Sequence, residues 1–200
     1  TASPEELQST NYLIELFRFQ HENNPIYRKY SELIGIEVSK VSRAHEIPFL
    51  PIEFFKSEKI HLSKKVERIF RSSGTVSASR SKHYVSSISS YLRTCARIFE
   101  STYGKLSDYT FLCLLPSYLE REDASLVTMC QYFIDESKDS LSGFYLDNFE
   151  QLNDRLSHLG ANNKKTVLVG VTFALLDFFE QFPSNYSDKL IIMETGGMKG

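Results

Sequence analysis

The run Tyr109-Thr110-Phe111-Leu112-Cys113-Leu114-Leu115, closed by Pro116, decides the fold. It is a continuous apolar stretch with no alternation of wet and dry positions. A strand with one face in water alternates; a strand without alternation is buried on both faces, as in a parallel sheet covered by helices. Lys165 to Gly170 reads the same way.

Outward from these two strands the pattern alternates. Downstream, the sequence predicts a helix over Ala124–Asp135 and a short strand over Gly143–Leu146. A helix over Phe149–Leu159 follows, stopped by Gly160. After the Lys165–Gly170 strand come a helix over Ala174–Phe182, stopped by Pro183, and a strand over Lys189–Met193. Upstream, Val66–Arg71 reads as a strand. From Lys82 to Tyr103 the pattern is helical: Tyr84, Ile88, Tyr91, Cys95 and Phe99 recur at three- and four-residue steps, and Gly104 closes the run. Strand and helix in alternation predict an α/β fold, a mainly parallel sheet with flanking helices and right-handed crossovers. Ligands of such sheets sit beyond the carboxyl ends of the strands. Four loops are expected there: 72–82, 116–123, 170–173 and 194–197.

An N-terminal helical lead-in over residues 1–46 precedes this α/β portion, residues 47–200. Ser3-Pro4-Glu5-Glu6 reads as an N-cap, a first-turn proline and acids at the positive helix end. Asn23-Asn24-Pro25 ends that helix, since the residue before proline avoids the α region. A second helix over Ile26–Ile34 stops at Gly35. Ile47-Pro48-Phe49-Leu50-Pro51-Ile52-Glu53-Phe54-Phe55-Lys56 holds two prolines among aromatics. It is expected to be a rigid extended segment lying on apolar surface.

The bulk numbers exclude several classes. A 42% hydrophobic content supports a real core, and a net charge of −2 offers no attraction to nucleic acid or an anionic membrane. No uncharged run approaches a membrane span, and the polar start is no signal peptide. Cys95, Cys113 and Cys130 form no CxxC and lie in apolar or helical runs, so they read as buried reduced thiols and point to the cytoplasm. His21, His45, His61, His83 and His158 are scattered, without zinc spacing. Walker A, GxGxxG and GxSxG strings are absent. Glu120, Glu122 and Asp123 cluster after a strand end and read as an exposed acidic loop.

One stretch carries chemistry: Ile69-Phe70-Arg71-Ser72-Ser73-Gly74-Thr75-Val76-Ser77-Ala78-Ser79-Arg80-Ser81-Lys82-His83. A strand, a small hydroxyl-rich loop and a helix would hold an anion through backbone N–H groups, hydroxyls and the helix N-terminus. Arg71, Arg80 and Lys82 add cations at the rim, and His83 is expected at the helix start beside the loop. A solvated serine linker fits the same residues.

Phe70-Arg71-Ser72-Ser73-Gly74-Thr75 resembles the phosphate loop of adenylate-forming enzymes. More specifically, the ordered set resembles the acyl-protein synthetases of the bacterial bioluminescence system (the LuxE family). The carriers are Ile47–Pro51 with Phe54-Phe55-Lys56, Ser81-Lys82-His83-Tyr84 and Leu115-Pro116-Ser117-Tyr118-Leu119-Glu120-Arg121. Ser142-Gly143-Phe144-Tyr145-Leu146 and Met193-Glu194-Thr195-Gly196-Gly197-Met198-Lys199-Gly200 complete it. The resemblance covers roughly Ile47 to Gly200.

It implies a ligase using ATP and Mg²⁺. A fatty acid or other carboxylate becomes an acyl-adenylate, and the acyl group passes to a protein cysteine and on to a reductase or other acceptor protein. Ser72, Ser73, Gly74, Thr75 and Ser77 are implied to bind the phosphates, with Lys82 and His83 beside them. Gly170, Phe173, Ala174, Thr195, Gly196 and Gly197 are implied to line the nucleotide and acyl pocket. Val76 and Ser77 depart from the family's usual threonine and glycine, removing one phosphate donor. The chain ends at Gly200 straight off a strand, so it reads as the N-terminal part of such an enzyme, with the catalytic residues expected beyond residue 200. A carboxylate–CoA ligase of the phenylacetate–CoA ligase type, or a non-catalytic acyl- or nucleotide-binding module, are the alternatives.

Overall fold

Asn24 divides helix α1 (Thr10–Asn23) from α2 (Pro25–Leu33). Its extended backbone breaks the first helix, its side-chain oxygen accepts the Tyr27 N–H at 3.2 Å, and Pro25 takes the first helical position. Gly35 then turns the chain with φ +75°, the left-handed conformation that favours glycine. The computed structural model describes residues 10–72, 80–116, 123–146, 148–157, 164–184, 186 and 188–196. The expected N-cap at Ser3–Glu6 lies outside them. The chain divides into two units, Thr1–Ile88 and Ser89–Gly200.

In the first unit Phe17, Tyr27 and Val41 form a small core, with Ile47 and Leu50 of the proline segment packed on it. The Tyr27 hydroxyl donates to the Pro48 carbonyl at 2.6 Å, which anchors that segment. Burial, with Tyr30 nearby, pushes this hydroxyl up to about 12, so it stays a neutral donor. The segment is extended only at its start. From Pro51 it turns into a one-turn helix, α3 (Phe54–Ser57), because a proline is tolerated where a helix begins.

Strands β1 (Arg68–Arg71) and β2 (Lys82–Val85) form an antiparallel hairpin, with Phe70 opposite His83 and Arg71 opposite Lys82. This corrects the sequence expectation: residues 82–85 are strand, and helix α4 (Ile88–Tyr103) starts six residues after Lys82. The spacing from Tyr84 to Ile88 mimics a helical step. Pairing with β1 and burial of Val85 decide otherwise, and neither is visible locally. Tyr84 packs near the His61 ring, centroids 6.0 Å apart, with the Lys59 ammonium 5.6 Å over its face.

The second unit is the expected parallel sheet, order β4-β3-β5-β6. Its strands are β3 (Tyr109–Leu114), β4 (Gly143–Tyr145), β5 (Lys165–Gly170) and β6 (Leu190–Glu194). Helices α5 (Ser125–Ser137), α6 (Phe149–Ser157) and α7 (Thr172–Gln181) alternate with them. Central β3 is buried along its whole length, and β5 is buried from Thr166 onward. Phe99 of α4 meets the rings of Tyr109, Phe111 and Phe133 at centroid distances of 5.2, 5.4 and 5.4 Å, and so docks α4 and α5 on β3.

The amino end of the sheet is closed by a polar tie. Asp139 accepts from Thr110 Oγ1 at 2.8 Å and from the Leu141 N–H at 2.9 Å, and pairs with Lys164 at 3.4 Å. Burial alone would raise this carboxyl. The two hydrogen bonds and the ammonium together hold it below its ordinary value. Among the described residues no helix is long and apolar enough to cross a membrane.

Candidate functional site at the carboxyl edge of the sheet

β5 and β6 run parallel in register, and Gly170 pairs with Glu194 as both strands end. The Gly170 carbonyl accepts the Thr195 N–H at 3.0 Å and the Thr195 hydroxyl at 3.3 Å. Thr172 opens α7, and its hydroxyl is hydrogen-bonded to Glu194 Oε1. The same oxygen accepts the Gly196 N–H at 2.8 Å, where glycine supplies φ +68°. Five residues from two chain-distant segments thus make one polar cluster. Glu194 places a carboxylate near the positive end of α7, a favourable position for negative charge.

Three residues expected from sequence, Gly170, Thr195 and Gly196, are brought together here. Phe173 is half-buried against the core, and Ala174 is within it at 1% exposure. Gly197 lies outside the described residues. Thr172 and Glu194 fall in the expected 170–173 and 194–197 loops but were not singled out as site residues. Their signal is faint: Glu194 is a polar residue at the end of an apolar strand, Thr172 opens the helix after another, and only the β5–β6 pairing makes them neighbours.

The hydroxyl-rich loop belongs to the other unit. Ser73, Gly74, Thr75 and Ser77 lie outside the described residues. Ser72 closes the hairpin: its N–H donates to the Ser81 carbonyl at 3.1 Å, and its hydroxyl accepts the Ser81 N–H at 3.1 Å. Lys82 and His83 are consecutive strand residues, so they point to opposite faces of the hairpin. His83 is exposed and lies across the strands from Phe70, ring centroids 6.5 Å apart. The helix start expected at Lys82–His83 is therefore a strand, and among the described residues no helix begins there to contribute to anion binding. A different feature is present: Arg71 stands directly opposite Lys82 at the base of the loop.

Among the described residues no group of three or more His, Cys, Asp or Glu side chains is placed to hold a metal ion. Mg²⁺ bound chiefly by phosphates and water asks for only one or two carboxylates. Glu194, whose Oε2 accepts no hydrogen bond from a described residue, fits that demand. Cys113 and Cys130 are buried and Cys95 is half-buried; all three are free thiols. A hydrogen bond between Cys113 and Cys130, together with burial, pushes the Cys113 thiol well up. Such a thiol is a poor nucleophile at neutral pH.

The chain matches no model of a known protein family and no curated protein.

Proposed function

We propose that this chain takes part in ATP-dependent activation of a fatty acid or other carboxylate, forming an acyl-adenylate for transfer to a thiol. The observation that carries the phosphate half is the Arg71–Lys82 cross-strand pair at the base of a loop of serines, a glycine and a threonine. Two cations and several small donors suit a polyphosphate, and donors aimed at charge that grows during phosphoryl chemistry lower its barrier. The carboxylate half rests on the resemblance to acyl-protein synthetases. The Gly170–Thr195–Gly196 cluster supports it, since it lies at the sheet edge where α/β proteins bind ligands.

In this reading the loop residues and Lys82 hold and orient phosphates. Mg²⁺ would supply neutralising charge to those phosphates when bound. The acid's oxygen attacks the α-phosphorus, the bond to pyrophosphate breaks, and the mixed anhydride keeps the acyl group reactive. Acyl transfer to a protein cysteine, delivery to a reductase or other acceptor protein, and a cytoplasmic setting belong to the same proposal. None of the three cysteines present is assigned as the acceptor.

The test is acid-dependent ATP–pyrophosphate exchange by the full natural protein, across short, long and aromatic acids. Exchange with one acid class is the expected result. Transfer to added CoA, rather than to protein, would select the phenylacetate–CoA ligase alternative. Saturable ATP or acid binding without exchange would select the binding module, with Val76 as its motive.

A further inference from the structure

Phe49 is 81% exposed and Ile52 66%, while Ile47 and Leu50 of the same segment pack on the core of the first unit. Pro48 and Pro51 flank Phe49 and restrict the backbone on both sides. The Tyr27 hydroxyl ties down the Pro48 carbonyl. The ring is thus held out in water on a rigid frame, and engaging a partner would cost little further ordering of the backbone.

Phe55 and Ile60 line the same open hollow as Phe49, so the chain leaving α3 passes beside this ring. That chain exposes Leu62, at 43%, between Lys59 and Lys64. Lys56, Lys59, Lys64, Lys65 and Arg68 are all exposed along it. The acids among residues 52–68 are Glu53, Glu58 and Glu67, and Glu67 is engaged within the unit. Its Oε1 pairs with Lys65 at 3.1 Å and its Oε2 accepts the Ile88 N–H at 2.9 Å. The hairpin that follows adds Arg71, Arg80 and Lys82 and no acid. The chain total of −2 therefore conceals a positive run beside protruding apolar side chains.

The residue types select among anionic partners. Lysine is a strongly hydrated point charge, whereas arginine is the residue that grips a buried carboxylate or a nucleic-acid phosphate with a planar fork. Up to the hairpin this run is lysine with a single arginine. Protein interfaces are depleted in lysine. A nucleic acid can stack on a phenyl ring but has no use for Ile52 and Leu62. A lipid surface uses all of them: lysines stay hydrated among headgroups while apolar side chains enter the acyl boundary, and stable attachment takes both signals together.

We propose that the first unit docks on the surface of an anionic lipid bilayer, with Phe49 and Ile52 set into the headgroup boundary and the lysines of residues 56–65 among the headgroups. The surface lies apart from the Gly170–Glu194 cluster, and the proposal stands without the adenylation reading.

The chain has no tryptophan, so Phe49→Trp gives a single fluorescent reporter at the point of contact. The probes are vesicles of phosphatidylcholine alone and vesicles with about one third phosphatidylserine. Binding to the anionic vesicles is expected, with a blue shift of the tryptophan emission and weakening as salt rises from about 0.05 to 0.5 M. In the unsubstituted protein, followed by vesicle sedimentation, Phe49→Ser should lower the partition about tenfold or more. Lys59→Gln with Lys64→Gln should lower it about thirtyfold. All three side chains are exposed, so the circular dichroism should not change. Lys56→Gln replaces Lys59→Gln if loss of the Lys59 contact with Tyr84 disturbs the fold. No partition onto anionic vesicles at low salt, or equal partition onto both kinds, would overturn the proposal. So would binding that Phe49→Ser leaves unchanged, since that is adsorption by charge alone. Tighter binding of a short DNA duplex than of the anionic vesicles would assign the face to nucleic acid instead.

Discussion

Leu175 occupies the space that a side chain on Gly170 would need: a Cβ at Gly170 would stand 2.7 Å from Leu175 Cγ and Cδ2. The end of β5 is thus glycine because α7 folds back onto it within one turn. The same close approach brings Thr172 to the side chain of Glu194.

Gly170→Ala is accordingly expected to destabilise the protein by about 1–3 kcal/mol through overpacking. Leu175→Ala alone should cost about 2–5 kcal/mol for the cavity it leaves. Together they should cost less than the sum, because each relieves the other. Urea unfolding of the two single variants and the double variant measures the coupling. Strict additivity would mean that the two residues do not meet.

Asp139 makes a pH prediction. Its carboxyl is held below its ordinary value in the folded protein. A depressed carboxyl contributes stability that is present above the unfolded value, about 3.9, and is lost as pH falls through the folded value. Asp139→Asn should cost about 1–2 kcal/mol at pH 7, and the gap to the parent should close below about pH 4. Urea midpoints at pH 7, 5, 4 and 3 test this. A gap that stays constant down to pH 3 would assign the loss to packing instead of charge.

Glu194 and Thr75 separate activity from stability. Glu194→Gln keeps an oxygen for Thr172 and Gly196 but removes the charge. It should lower acid-dependent exchange by about tenfold or more and move the thermal midpoint by less than about 2 °C. Thr75→Ala removes one loop hydroxyl and should lower exchange by about a hundredfold, the usual loss for one donor to a charged transition state. Exchange and midpoints measured on the same preparations decide the matter. Undiminished exchange in either variant removes that residue from the proposed site.

Sequence periodicity made the second unit readable. Phe111–Leu114 and Val167–Gly170 lack polar interruptions because both faces are covered, so local composition already carries the tertiary environment. Asn24-Pro25 and Gly35 were readable for a related reason: proline and glycine restrict or free the backbone wherever they stand.

The hairpin was not readable. Lys82–Val85 carries a spacing that serves a helix as well as a strand, and its partner Arg68–Arg71 lies more than ten residues back along the chain. The balance between the two is set by hydrogen bonds and burial that exist only once the strands meet. The same holds for the candidate site. That one strand ends at Gly170 and another near Met193 follows from the sequence, as does the placing of their loops at one edge of an α/β sheet. Which strands are neighbours does not. The order β4-β3-β5-β6 puts Thr172 against Glu194, and strand order is a property of packing between distant segments, which no local pattern of residues encodes.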